Sequence, residues 1–300
     1  MEGAGGIGAV LTRAITLGAI AVAVGAVIFR LLVLSRARLR EPEQTRVAEG
    51  IAMGGVVACV AIASVSLVRL YLQASAFVGD GEPISPMVSH VLATQWGRAW
   101  MIQTGCAVGG AVTFWLAFRQ PGRWWLATTL IVTALALTPS LGGHAMADER
   151  RKLISLGADW LHVAGAGGWV GGLVLMTAFM IVLRHALAGR EASQALVAAF
   201  HRVALGSAAL LFLSGFVTLL LRVDSVSSLF NSRYGRIFLV KMLFVAIFAG
   251  LGAYHSRTAI QQAAGDGNWA LVKTLLLECG AAAFAIGATA VLSGSAPPRE

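Results

Sequence analysis

Charge is what this chain has little of. Only 12% of its 300 residues are Asp, Glu, Lys or Arg, while 57% are hydrophobic. A soluble globular domain carries about 25% charged residues, so the balance excludes one and points to an integral membrane protein. Acids are scarcest: 14 Asp and Glu stand against 23 Lys and Arg, for a net charge of +9. That excess does not mark a nucleic-acid binder. The basic residues gather in the breaks between apolar runs, where they act as topology signals. Cysteine is nearly absent. Cys59, Cys106 and Cys279 all lie inside apolar runs and form no CxxC pair, so no disulfide framework is implied. No Walker A loop, GxSxG elbow, HExxH helix or phosphorylatable DKT aspartate occurs. ATP-driven pumping and hydrolysis therefore find no support, and no enzymatic activity is expected. A CxxCH haem-attachment site is missing as well. No cleavable signal peptide is expected, because Glu2 precedes a first apolar run long enough to remain as a helix.

What fills the chain instead is hydrophobic runs of membrane length. A bilayer core takes about 20 apolar residues per helix, and backbone polar groups in hydrocarbon must be satisfied within the segment. These two constraints predict an all-α polytopic membrane bundle of about eight transmembrane helices, at roughly 8–34, 47–73, 97–118, 124–144, 154–184, 196–222, 235–256 and 270–293. The whole of 1–300 reads as a single integral membrane domain in contact with lipid, with no internal repeat and no separate soluble part. The longest connection, Gln73 to Trp96, holds Gly79, Asp80, Gly81, Glu82, Pro83 and Pro86 and reads as a loop. Breaks after the odd-numbered segments carry Arg36, Arg38, Arg40, Arg46, Arg119, Arg123, Arg184, Arg190 and Arg257. Positive-inside logic puts those breaks in the cytoplasm and both termini outside, although Arg150, Arg151 and Lys152 pull the other way.

The chemistry concentrates in Ser140 to Leu173. Gly142, Gly143, His144 and Met146 form a turn, and the next segment carries Asp159, Trp160 and His162 ahead of five glycines. Asp159 and His162 are three apart and share a helix face. An ionisable residue inside a membrane helix is costly, which makes the pair a functional candidate. Asp159 holding the second ring nitrogen would orient His162 as a metal ligand. Gly167/Gly171 and Gly168/Gly172 form two overlapping small-xxx-small patterns that let other helices approach. His144 and Met146 offer imidazole and thioether, both copper ligands. His90 adds a third outer-face candidate, and His201 and His255 lie toward the inner face beside His185. Lys241 and Glu278 are intramembrane charges and a candidate relay. Residue chemistry alone leaves two cofactor readings open, a copper ion or a haem b held between histidines as in a b-type membrane cytochrome. An accessory subunit of a larger membrane complex is a third reading.

The sequence resembles the copper resistance protein D (CopD) family of bacterial inner-membrane proteins. The resemblance is carried by the GHA of Gly143–Ala145 and by DWLHV with the following WVGGL, Asp159 to Leu173. TQWGRAW at Thr94–Trp100, YGRIFLVK at Tyr234–Lys241, YHSR at Tyr254–Arg257 and LSGSAPP at Leu292–Pro298 support it, so the CopD-like core spans about 90–298. The resemblance implies an eight-helix protein of the cytoplasmic membrane with outward termini. It also implies copper uptake toward the cytoplasm, with a separate periplasmic copper-binding partner of the CopC type. His144 and His162 are the positions carried over as ligands. His201 and His255 depart from the family pattern.

Overall fold

The computed structural model describes residues 6–79, 83–120, 122–141, 151–182, 190–223, 226–263 and 269–295. Among the described residues the chain is an all-α polytopic membrane bundle without strands. We number its helices α1 (Ile7–Ala37), α2 (Glu43–Ser75), α3 (Ile84–Ala93), α4 (Gln95–Arg119), α5 (Trp125–Leu141), α6 (Lys152–Val182), α7 (Arg190–Arg222), α8 (Val226–Asn231), α9 (Arg233–Ala263) and α10 (Trp269–Leu292). Seven of these are long and apolar enough to cross a membrane. The remaining apolar helix in the predicted set, α5, has 17 described residues.

The stretch read from sequence as the longest loop contains α3, a helix of 10 residues. Its Pro and Gly signals fall at its start and before it, where they allow a helix to begin rather than forbid one. Thr94 then stops α3 and starts α4, its hydroxyl accepting the Gly97 N–H at 3.1 Å. Ser232 does the same for α9, accepting the Gly235 N–H at 2.9 Å after the short α8. Both caps precede an aromatic–Gly–Arg triplet, Trp96–Gly97–Arg98 and Tyr234–Gly235–Arg236. The order long, long, short, long, long thus occurs twice, from α1 to α5 and again from α6 to α10. Comparison of residues alone finds no repeat, because the halves share their punctuation and not their apolar side chains.

Two helices form the interior. In their most apolar windows 56% of α1 and 67% of α6 is buried, against 6% of α9. Glycine explains why those two meet. A Cβ on Gly171 would overlap the Ala21 carbonyl, and one on Gly25 would lie 2.6 Å from the Gly171 carbonyl carbon. Backbone touches backbone at this crossing, which only small residues permit. The other glycine pair faces α7, where a Cβ on Gly168 would strike the Ser207 hydroxyl and one on Gly172 would lie 2.7 Å from the Phe200 ring. The two patterns foreseen in the sequence therefore serve two different partners. Gly167–Gly171 is wound as a π-helical turn, a local widening of the helix that α1 matches with its own at Phe29–Leu34. Below the crossing, Phe29 packs edge-on to Phe179 at 5.4 Å and stacks on Phe200 at 6.0 Å.

Candidate functional site

The polar pair of α6 meets α7. His162 lies about 15 Å along α6 from Lys152 at ~1.5 Å rise per residue, well inside the bilayer core. Its Nδ1 is 3.3 Å from the Ser214 hydroxyl. One helical turn toward the start of α6, the Thr218 hydroxyl donates to Asp159 Oδ1 at 3.4 Å. Residues three apart on α6 thus face residues four apart on the antiparallel α7, as helix periodicity requires. Glycine makes room for the ring: a Cβ at Gly215 would lie 3.1 Å from His162 Cε1.

Ser214 is buried, and its hydroxyl also donates back along α7 to the Leu210 carbonyl at 2.7 Å. Between Ser214 and His162 Nδ1 either atom can be the donor, according to the imidazole tautomer. A ring held through one nitrogen presents the other in a fixed direction. Trp160 lies on the same turn, and its indole N–H is buried without a hydrogen-bond acceptor among the described residues.

A cavity of about 440 Å³ opens further along the same helices. Trp169, tilted against Phe212 and stacked on Phe248 at 4.3 Å, forms its wall nearest His162. Met176, His201 and Glu278 line it from α6, α7 and α10. Glu278 is buried at 4% exposure, so this carboxyl belongs to the bundle interior. The Thr177 hydroxyl and Cys279 thiol, 3.5 Å apart, join α6 to α10 beside Met176 and Glu278. The structure therefore brings together His201 and Glu278, which the sequence had assigned to different roles. Lys241 is half-buried on α9 and is not among the lining residues.

The remaining candidates fall apart in space or lie beyond description. His90 is exposed on α3, and its Nδ1–H donates to the Pro86 carbonyl at 2.8 Å. His144, Met146 and His185 lie outside the described residues. His255 is described only as part of the α9 backbone. Among the described residues no group of three or more His, Cys, Asp or Glu is placed to hold a metal ion. What exists is a paired imidazole and carboxylate, then a cavity with a thioether, an imidazole and a carboxyl. Such sparse sets suit passing contact with a cation better than tight storage, which takes a closed ligand shell.

Sequence reasoning missed Ser214, Thr218 and Met176. The first two had a signal, hydroxyl residues one turn apart in an apolar segment, but their partners lie more than fifty residues away. A second polar chain was also missed. Arg69 Nη1 donates to Gln103 Oε1 at 2.8 Å, and Gln103 Nε2 donates to the Thr138 hydroxyl at 2.9 Å, joining α2, α4 and α5.

Comparisons with known proteins agree with this arrangement in two halves. The family model described as Copper resistance protein D-like, N-terminal domain, matches residues 4–153. The model described as Copper resistance protein D matches residues 194–292. The chain is 30% identical over 253 residues to "Copper resistance protein D" of Pseudomonas syringae pv. tomato, covering 78% of this chain and 80% of that one. It is 26% identical over 258 residues to "Copper transport protein CutJ" of Bacillus subtilis (strain 168), covering 83% of this chain and 46% of the relative. The chain thus spans about half the length of the Bacillus protein. No solved structure matches. Both relatives are named for copper resistance or transport and neither for an enzymatic activity, which supports copper handling at a membrane.

Proposed function

Because this chain belongs to the copper resistance protein D family, we propose that it carries copper ions inward across the bacterial cytoplasmic membrane. It acts as a carrier and not as an enzyme. The observation that supports this reading best is the His162–Ser214 contact, which seats an intramembrane imidazole between α6 and α7. Copper is collected at the periplasmic face by His144, Met146 and His90, handed over by a separate CopC-like protein. It passes to His162 with Asp159 supplying negative charge nearby. Beyond Trp169 it reaches the cavity of Met176, His201 and Glu278 on the cytoplasmic half. A carboxyl at this buried position offers an oxygen ligand to a passing cation, where an intramembrane charge is otherwise costly. Thioether sulfur favours the reduced copper ion. His255 and Lys241 have no assigned step in this path.

This topology has both termini outside and requires α5 to cross. Its 17 residues give about 26 Å at ~1.5 Å per residue, close to the ~30 Å hydrocarbon core. The test is copper accumulation in cells that express wild-type protein or His162→Ala. Loss of copper-dependent accumulation, with the variant present in the membrane and melting as the wild type does, is the expected result. Normal accumulation by the folded variant would sink the assignment.

A further inference from the structure

A second cavity, about 350 Å³, lies at the other end of α1 and is lined by Arg30, Leu34, Ser35, Arg38, Leu39 and Gln44. Its chemistry is cationic. Two guanidinium-bearing residues and an amide border it, and no carboxylate does. Arg30 sits within a helix of membrane-spanning length, half-buried, with its Cζ 5.5 Å from the Trp125 ring centroid. Its Nε–H is shielded from solvent and has no hydrogen-bond acceptor among the described residues. A cation on an aromatic face gains less than leaving water costs a buried charge. The cavity offers room for an anion beside the Arg30 side chain.

The backbone helps to build the recess. Arg38 ends α1 in the left-handed conformation, φ +48°, so the chain turns there, and Arg38 and Gln44 line the recess together with Arg30. The Ser35 hydroxyl donates to the Leu31 carbonyl at 2.7 Å, which leaves its oxygen lone pairs, and not its proton, facing outward. Recognition of an anion therefore falls to Arg30, Arg38 and Gln44. Guanidinium forks match the oxygens of a phosphate, and a basic recess at a helix end on the membrane boundary is where headgroup phosphates lie.

We propose that this recess binds a phosphate group, carried by an anionic phospholipid or taken up as inorganic phosphate, with Arg30 as the buried ligand and Arg38 as the rim ligand. The ligand supplies a counter-charge to Arg30 on α1, the helix whose glycine crossing with α6 organises the bundle. The proposal does not depend on copper.

The test uses the full chain purified in detergent, with phosphatidylglycerol counted by native mass spectrometry and thermal unfolding followed with phosphatidylglycerol, phosphatidylcholine or inorganic phosphate added. The wild type is expected to hold one phosphatidylglycerol and to melt higher with it than with phosphatidylcholine. Arg30→Gln and, separately, Arg38→Asn are expected to weaken that binding at least tenfold. Arg38→Asn guards against a folding artefact, since Arg38 is exposed and Asn tolerates a left-handed backbone. Stabilisation by inorganic phosphate that both variants lose would make free phosphate the ligand. Equal binding by wild type and both variants, or no response to any phosphate compound, would overturn the proposal.

Discussion

Gly215→Ala separates the stability of the His162 site from its chemistry. The added Cβ would lie 3.1 Å from His162 Cε1 and 3.3 Å from Nδ1. Carbon atoms in contact prefer about 3.5–4.0 Å, so the ring must withdraw by a few tenths of an ångström. Metal–ligand distances hold within about 0.2 Å, so the displacement exceeds what a ligand position tolerates. Loss of ring orientation typically lowers metal affinity by about 10–100-fold, and we expect a copper response near the lower end. Stability moves the other way. Alanine is favoured over glycine in a helix interior by up to about 1 kcal/mol, and the imidazole can tilt within its pocket, so the melting temperature holds or rises. The assay pairs thermal unfolding in detergent with copper accumulation in cells. A variant that melts no lower than the wild type yet accumulates at most a tenth as much copper is the expected outcome. Wild-type accumulation would refute the reasoning, because it would mean that the seating of His162 against α7 is irrelevant to copper.

Three further outcomes follow from other parts of the bundle. Gly25→Ala drives a methyl into the α6 backbone at 2.6–2.8 Å, where no side chain can yield, and should cost about 1–3 kcal/mol of stability as measured by unfolding in detergent. Gln103→Leu removes the acceptor of Arg69 and the donor to Thr138. It should destabilise by about 1–3 kcal/mol, and Thr138→Val by less, because a buried charge loses more than a hydroxyl does. Glu278→Gln keeps the side chain's size and shape but removes its ionisable carboxyl. It is expected to preserve the melting temperature and reduce copper accumulation, and unchanged accumulation would remove Glu278 from the path.

How much of this was legible in the chain differs from residue to residue. The spans were legible because hydropathy is a local property: about twenty apolar residues in a row must be helical in lipid whatever surrounds them. The shared face of Asp159 and His162 and the double glycine stripe were legible for the same reason, since helix periodicity fixes them within a single segment. The short helix α3 was obscured by proline and glycine, which mark a helix start as readily as a loop. The recurring order of helix lengths was hidden because lipid accepts any apolar side chain, and only the caps at Thr94 and Ser232 mark it in the residues.

Only the tertiary structure decided what those faces meet. It chose α1 for Gly167 and Gly171 and α7 for Gly168 and Gly172. Ser214 and Thr218 came opposite His162 and Asp159, and His201 and Glu278 came to one cavity with Met176. It also gave Arg30 a shielded N–H and a place on the lining of an anion-sized recess. The physical reason is common to all of these. Sequence periodicity sets which side of a helix is polar or small, whereas the partner of that side is set by packing between segments far apart in the chain.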